Sequence, residues 1–409
     1  MITIQSAESA LKNVYLDTVI NDINTKTNPF LTMVQKNKRQ VNDKDIKVGI
    51  RYGDSGSVGA GSETGDLPNG GTGTRLDINV PLKNLYGTFQ ITDKAVKAAQ
   101  TSAGAFSSLL SSEMSNLIAS AQNNVAQMIY GNGLKFLSYV DTANIDTSSK
   151  TMVVPARFLQ NFVVGVKFAA YTANNERKTA ADLTISAVNA STNTITYTGT
   201  VSSTALNKYD RFYLCALIDT EISMNGVDSV FMGNKLYGQD VSSVPAVKAF
   251  LKSDVAEDAL KILNEDEIMA FFDEYEERVG GNPADIILTH PTVRKALFEN
   301  LRGTRTNIEG AELAGGFKGF SFNGVPLYAD VKCKGGTLYA LDSDSFAMHE
   351  LTDWTWLEGD DGSILKQMSG KPTYQATLVK YADFICDKPF LQGKATNYSA
   401  TQYVPAPAV

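Results

Sequence analysis

Two histidines, three cysteines and a few clusters of carboxylates are the side chains of this sequence that could do chemistry. A triad-type hydrolase needs a nucleophile on a sharp turn and a base within hydrogen-bond reach. No serine sits in a Gly-x-Ser-x-Gly elbow, and His290 and His349 stand far apart. His290 directly precedes Pro291, which suits the opening of a helix better than a base. Cys215, Cys333 and Cys386 lack metal-ligand spacing and fall in apolar, strand-like contexts, so buried thiols are expected. The Gly-Lys pairs at Gly370 and Gly393 are followed by Pro372 and Ala395, and neither completes a phosphate-binding loop. Gly59, Gly61 and Gly65 do not lead from a strand into a helix, as a dinucleotide fingerprint requires. Asp353, Glu358, Asp360 and Asp361 could chelate a hard cation. A charged turn after Trp354 and Trp356 accounts for them more simply. The expectation is no catalytic, no cofactor-binding and no metal-ligating residue, and no cofactor.

With chemistry unpromising, the elements themselves become the subject. Phe106, Leu109, Leu110, Leu117, Ile118, Ala121, Val125, Met128 and Ile129 recur at threes and fours, which predicts a helix from about Gly104 to Tyr130, roughly 40 Å long. Only Glu113 breaks its apolar stripe. The opposite face, Ser108, Ser112, Ser115, Asn116, Gln122, Asn123 and Gln127, is polar yet uncharged, which suits contact with another protein surface better than an ordinary solvated face.

Composition bounds the rest. At 409 residues, 43% of them hydrophobic and 20% charged, the chain has room for two or three domains of the globular class. No run is long enough to span a membrane, and no signal peptide is visible, which places synthesis and use in a cytoplasm. A net charge of −7 argues against a dedicated nucleic-acid binder. The charge is uneven. Seven basic and two acidic residues between Lys26 and Arg51 leave +5, whereas ten carboxylates and Lys261 between Asp254 and Glu277 leave −9.

Taken in order, residues 7 to 24 read as an amphipathic helix, and Asn28-Pro29 forces an extended exit from it. Ile46, Val48, Ile50 and Tyr52, then Leu76, Ile78, Val80 and Leu82, alternate with polar residues as paired strands do. Between them the tip Gly53 to Thr74 is rich in Gly, Ser and Thr and cannot pack a core, so the whole arm is expected to find little to bury against within its own chain. Asn84 to Ile91 runs on into the long helix. Short β runs at Phe162 to Tyr171, Leu183 to Val188, Thr194 to Thr200 and Arg211 to Leu217 predict a small β-barrel or sandwich. Helices follow at Ser253 to Asn264 and Glu265 to Val279, the second opened by Asn264 with Glu267 at capping-box spacing and stopped by Gly280. Strand Ile286 to Thr289, a helix from Pro291 to Gly303 and a glycine-rich loop to Gly316 come next. A hairpin turns at Asn323-Gly324. Strands near Thr337 to Leu341, Ala347 to Leu351 and Thr373 to Cys386 complete an α+β half, the last one long enough to return to earlier parts of the chain.

This order of parts resembles the major capsid protein of tailed bacteriophages (Caudovirales), the Hong Kong 97-like fold. The residues that carry the resemblance are Thr27-Asn-Pro-Phe-Leu31, the hairpin at Ile46 to Leu82, Leu85-Tyr-Gly-Thr-Phe-Gln-Ile-Thr92, the helix Gly104 to Tyr130, Ile286-Ile-Leu-Thr-His-Pro291 and Gly324-Val-Pro-Leu-Tyr328. The resemblance implies an N-terminal arm (1–44), an extended E-loop (45–84), a P-domain with a long spine helix (85–157), a small β-rich insertion domain (158–222), an A-domain with part of the P-domain sheet (223–372), and a return strand and tail (373–409). It further implies a non-enzymatic structural protein of the virion, self-assembled in the bacterial host cytoplasm into hexamers and pentamers of an icosahedral capsid. The shell would enclose DNA without sequence-specific binding and without a membrane. A portal protein, a separate scaffolding protein and a decoration protein are the implied partners; members with a fused scaffold carry a long charged helical extension ahead of the arm, whereas Met1 here leads almost directly into the expected arm helix. An encapsulin-like bacterial nanocompartment shell is the runner-up, and a cytoplasmic α+β enzyme the third reading. The E-loop cross-link some members form needs a lysine at the tip; Gly53 to Thr74 contains none, so an uncross-linked shell is expected.

Overall fold

The computed structural model describes residues 28–37, 41–42, 44–53, 57–60, 63, 71, 73–94, 97, 103–134, 136–139, 145–146, 149–162, 164–171, 177, 179, 181–200, 210–214, 223–252, 261, 263–304, 310–313, 317–322, 324–359, 362–396 and 398. The expected helix at 7–24, most of the one at 253–264, and Cys215, Asp360 and Asp361 lie outside the described residues. The chain is mixed α and β, with few helices and many strands among the described residues.

Its centre is a five-stranded sheet built on the long strand Thr373–Cys386. One edge of that strand takes Phe346–Trp356 antiparallel, and the other takes Lys83–Thr92 in unbroken antiparallel register from Thr373 opposite Thr92 to Ala382 opposite Lys83. The final strand does return to the front of the chain. Period two explains the pairing: Leu85, Phe89 and Ile91 are buried, while Tyr86, Thr88 and Gln90 face out. The buried side receives the helix Ala103–Ile129 through Met114, Leu117, Ala121, Val125 and Ile129. A Cβ at Gly87 would lie 3.0 Å from Leu117 Cδ1, so the missing side chain lets helix and strand close together. Met114, buried beside the partly buried Glu113, belongs to the stripe although the sequence reading left it out.

At Asn28-Pro29 the extended backbone lasts one residue. Asn28 caps a short helix, Pro29–Met33, by accepting from Leu31 N at 2.9 Å, with Pro29 in the first turn. Its purpose is visible in Phe30, fully buried edge-on to Phe346 and Phe384 at 5.2 and 5.9 Å.

A seven-stranded sheet organises the α+β half in the order Phe250–Lys252, Gly393–Ala395, Leu338–Leu341, Ile286–Thr289, Val325–Ala329, Phe317–Phe322, Gly310–Leu313. Ile286–Thr289 is buried throughout because both faces are covered. Ile287 joins Ile268, Phe271, Phe272 and Tyr275 of helix Glu265–Val279 and Val293 and Leu297 of helix Pro291–Thr304, while Ile286 and Leu288 join the core beneath the long helix. Asn264 accepts from Glu267 N at 2.8 Å, and Gly280 closes the helix with φ of 83°. Two expectations change here. Lys261 forms an isolated bridge with Tyr398, so the end of the expected 253–264 helix is extended chain; and Gly310–Leu313, read as loop, pairs antiparallel with Phe317–Phe322. Cys333 sits in a turn and Cys386 at a strand end; both are buried thiols.

The β-rich unit is a second seven-stranded sheet, in the order Phe136–Tyr139, Arg211–Leu214, Lys167–Tyr171, Leu183–Asn189, Thr194–Thr198, Thr151–Val153, Ile145–Asp146. It starts well before Phe158. Three strands of the expected 85–157 segment belong to it because they lie against the later strands, as in Met152 opposite Ile195 and Ser138 opposite Phe212.

Candidate assembly surface

The hairpin Asp45–Arg51 with Arg75–Pro81 pairs Ile46 with Val80, Val48 with Ile78 and Ile50 with Leu76. All of these but Leu76 are buried, against Leu236, Tyr237, Val241, Val247 and Ile385. This corrects the expectation of an arm with little to bury against. The missed partner is a pad made by the tight turn between Lys235–Leu236 and Gln239–Asp240, where Tyr237 and Gly238 both have positive φ, 50° and 80°. Tyr237 OH donates to Cys386 O at 3.3 Å and accepts from Cys386 N at 2.7 Å, which ties the pad to the end of the long strand. The hairpin's other face, with Lys47, Arg51 and Asp77, is exposed. Beyond the strands, Tyr52 N–H donates to Thr74 O at 3.1 Å, and among the described tip residues Val58 is 95% exposed.

A groove of about 600 Å³ runs between Asn84–Gln90 and the long helix. Glu113 is its one charged lining residue among the described residues; Asn116, Ser120 and Asn124 supply uncharged hydrogen-bonding groups and Tyr86 an exposed ring. Ordinary solvated faces carry charge, so this lining suits a protein surface.

The residues singled out for chemistry are dispersed. His290 opens helix Pro291–Thr304 as expected: its carbonyl accepts from Val293 N and Arg294 N, and Nδ1 pairs with Thr292 Oγ1 at 2.7 Å. His349 is buried across from Asp383 in the central sheet; burial holds its imidazole down at about 4, and Nδ1 has no hydrogen-bond partner among the described residues. Gly370 makes a turn with φ of 72°, and Gly393 lies in a strand whose Lys394 is fully buried. Asp353 is tied into the sheet: Lys380 Nζ bonds Asp353 at 2.8 Å and Glu350 at 2.9 Å. Burial raises the Cys333 and Cys386 thiols, which makes them inert. No group of three or more His, Cys, Asp or Glu able to hold a metal occurs among the described residues. None of their helices is long and apolar enough to cross a membrane.

Sequence reasoning missed the buried charges that join the two halves. Asp383 accepts from Asn225 N and Nδ2, both at 2.7 Å, and burial lifts its carboxyl to about 7 against the pull of Lys83 and these bonds. The loop it holds crosses the end of the long helix at Gly226, where a Cβ would stand 2.2 Å from Met128 O. Two residues on, Asp228 is ion-paired with Lys334 and, at 3.0 Å, with Lys394, and accepts from Tyr339 OH at 2.8 Å. Burial pushes the Asp228 carboxyl up, but the charges of Lys334, Lys394 and Arg211 outweigh it and hold it at about 2. No periodicity marks such residues; each is a lone charge until folding collects them.

No family model and no curated protein matches the chain. Among solved structures, the chain is similar to one in the cyanophage A-1(L) capsid asymmetric unit, with a TM-score of 0.54 and 11% identity over 90% of this chain and 92% of that one. At that identity the likeness shows a shared fold. The holo-SrpI encapsulin complex of Synechococcus elongatus PCC 7942 (TM-score 0.46, 9% identity, 93% and 92% covered) and the procapsid of satellite phage P4 (0.46, 9%, 95% and 99%) are more distant. The fold of this chain is thus one that it shares with the cyanophage capsid chain.

Proposed function

We propose that the chain is the major capsid protein of a tailed bacteriophage and builds the icosahedral shell that encloses the phage's double-stranded DNA. The observation that carries this reading is the fold shared with the cyanophage capsid chain over nine-tenths of both. The parts fit it. The hairpin and tip serve as the E-loop, the helix Ala103–Ile129 and the central sheet as the P-domain, the seven-stranded sheet with helices Glu265–Val279 and Pro291–Thr304 as the A-domain, and Phe136 to Leu214 as an insertion. A tip with no core of its own needs a neighbour, and closed symmetry in hexamers and pentamers gives each copy one. The role is mechanical and non-enzymatic. An overall charge of −7, with the carboxylate-rich helix Glu265–Val279, suits a wall that holds DNA without gripping it. A scaffolding protein, a portal and a decoration protein are the partners this role calls for, with assembly in the host cytoplasm.

Electron microscopy of the purified full chain tests the proposal, with nuclease treatment of the particles. Closed shells or capsomers are expected, and nuclease-protected DNA when the chain is produced with its packaging partners. Shells that contain a cargo enzyme and no DNA would assign the chain to nanocompartments instead; a monodisperse monomer at every concentration would remove the shell role.

A further inference from the structure

Asp228, Lys334, Lys394 and Tyr339 come from four separate elements: the turn Val227–Phe231, the turn before Leu338, the strand Gly393–Ala395 and the strand Leu338–Leu341. They meet in a sealed space. The Asp228 and Lys394 side chains are wholly inaccessible and that of Lys334 nearly so. The Lys334 amine is in direct contact with Asp228 Oδ2, while Oδ1 accepts from Tyr339 OH at 2.8 Å and from Lys394 Nζ at 3.0 Å. The rings of Phe231 and Tyr339 lie 5.7 and 5.5 Å from Lys394 Nζ, and the buried Arg211 adds a third positive charge close enough to act on Asp228 and both amines.

Two amines press on one carboxylate here. Burial lowers both, Lys334 to about 8 and Lys394 to about 7, so near neutrality a fraction of the cluster holds an uncharged amine against the carboxyl group. Fixed contact with no water to compete replaces the bimolecular encounter that makes amine–carboxyl condensation slow in solution. The pair of donors on Oδ1 sits where negative charge would develop as nitrogen adds to Cγ.

We propose that Lys334 Nζ and Asp228 Cγ become joined in an intrachain isopeptide bond. One proton passes from the Lys334 ammonium to Oδ2, and the nitrogen lone pair so freed adds to Cγ, with Oδ1 held by Tyr339 and Lys394. A second proton then passes from that nitrogen to Oδ2, the Cγ–Oδ2 bond breaks, and Oδ2 leaves as one water. The ion pair is converted to an amide and water, with no change of oxidation state and no co-reactant. Lys394 remains as an amine that donates to the amide oxygen. The bond would close a loop containing helices Glu265–Val279 and Pro291–Thr304 and fasten it to the segment that crosses the end of the long helix.

The test is mass spectrometry of the purified, denatured full chain, followed by proteolysis. The expected result is a chain lighter than its sequence by one water, about 18 Da, and a branched peptide that joins the segments around Asp228 and Lys334. Lys334→Met and Asp228→Ala chains should carry only the mass of the substitution, a readout that holds whether or not they fold well. Lys394→Met, which keeps both reacting groups, should lower the branched fraction. A wild-type chain at full mass with both residues in linear peptides overturns the proposal, as does a water loss mapped to any other pair of residues.

Discussion

The hairpin at 45–81 and the β-rich unit at 136–214 are both excursions from the central sheet, yet they solve burial in opposite ways. The unit closes on itself: Phe168 lies edge-on to Phe162, Tyr197 and Phe212 at 6.1, 6.4 and 5.5 Å, and every residue of that core comes from between Leu137 and Phe212. The hairpin buries one face, on residues 236–247 and Ile385, and beyond its strands Val58 is 95% exposed. A β excursion with its own core is a domain in waiting; one that borrows a core is a lever, with a seat inside the subunit and an end outside.

The comparison breaks most visibly at the lever's end. Deletion of Asp54 to Gly73 should leave a folded, soluble subunit, because Tyr52 and Thr74 are already bonded at 3.1 Å and close the shortened turn. Shell formation should be lost, as read by electron microscopy; normal shells from the deleted chain would mean that the tip holds no neighbour. Next come the two cores. Phe168→Ala should cost about 3–5 kcal/mol and Ile50→Ala about 2–5 kcal/mol. The consequences should differ in place. The first should loosen the β unit alone in hydrogen exchange, and the second should expose both the hairpin and residues 236–247. If Phe168→Ala exposed the hairpin as strongly as its own unit, the two would share one cooperative core. Expressed alone, 136–214 should give dispersed amide resonances, which 45–81 alone should not.

How far the sequence disclosed this contrast depends on the range of each signal. Alternation is local, so the two strands and the shared face of Ile46, Val48, Ile50, Leu76, Ile78 and Val80 could be read directly, while their register came only with the fold. The seat could not. Leu236, Tyr237 and Val241 lie in a turn too short to show a period, so the hairpin was expected to lack a partner that it has. The β unit was recognised from its longer strands, but its first strands run only two to four residues, Phe136–Tyr139, Ile145–Asp146 and Thr151–Val153, below what pattern can resolve. Gly310–Leu313 was missed for the same reason. Asp228, Lys334, Lys394 and Asp383 left no trace at all, because a buried charge is defined by partners far away in the chain.

A smaller effect concerns bonding between levers. Lysine is absent from Gly53 to Thr74, Lys47 lies on the hairpin's strand and Lys83 is buried in the central sheet. Particles boiled in SDS with reductant should therefore run as one band near 44.2 kDa. An intrachain bond at Asp228 leaves that band in place. A ladder of covalent oligomers would put a nucleophile at the lever's end that the sequence does not show.

The smallest effect is a slope with pH, and it should mark the hairpin's seat rather than the β unit. Asp383 and His349 face each other on adjacent strands, two residues from Ile385 of the seat and in contact with Asn225 and the charge of Lys83. Burial raises the Asp383 carboxyl from 3.8 to about 7 in the folded chain, so its contribution is complete below pH 3.8 and is lost as pH rises through about 7. Burial lowers the His349 imidazole from 6.5 to about 4, so its contribution is complete above pH 6.5 and is lost as pH falls through about 4. Between about pH 4 and 6.5 the folded chain holds its proton on Asp383 and the unfolded chain on His349. The number of bound protons is then the same, and the two slopes cancel. Removing either side should reveal the other. His349→Leu should lose stability as pH rises from about 4 to about 7, by at most about 1.4 kcal/mol per pH unit. Asp383→Asn should lose it as pH falls from 6.5 to about 4. Urea midpoints for the protection of hairpin amides at several pH values read both slopes, with the β unit's amides as the internal reference. Slopes of the same sign in the two variants, or slopes carried equally by the β unit, would show that these two groups do not control the seat.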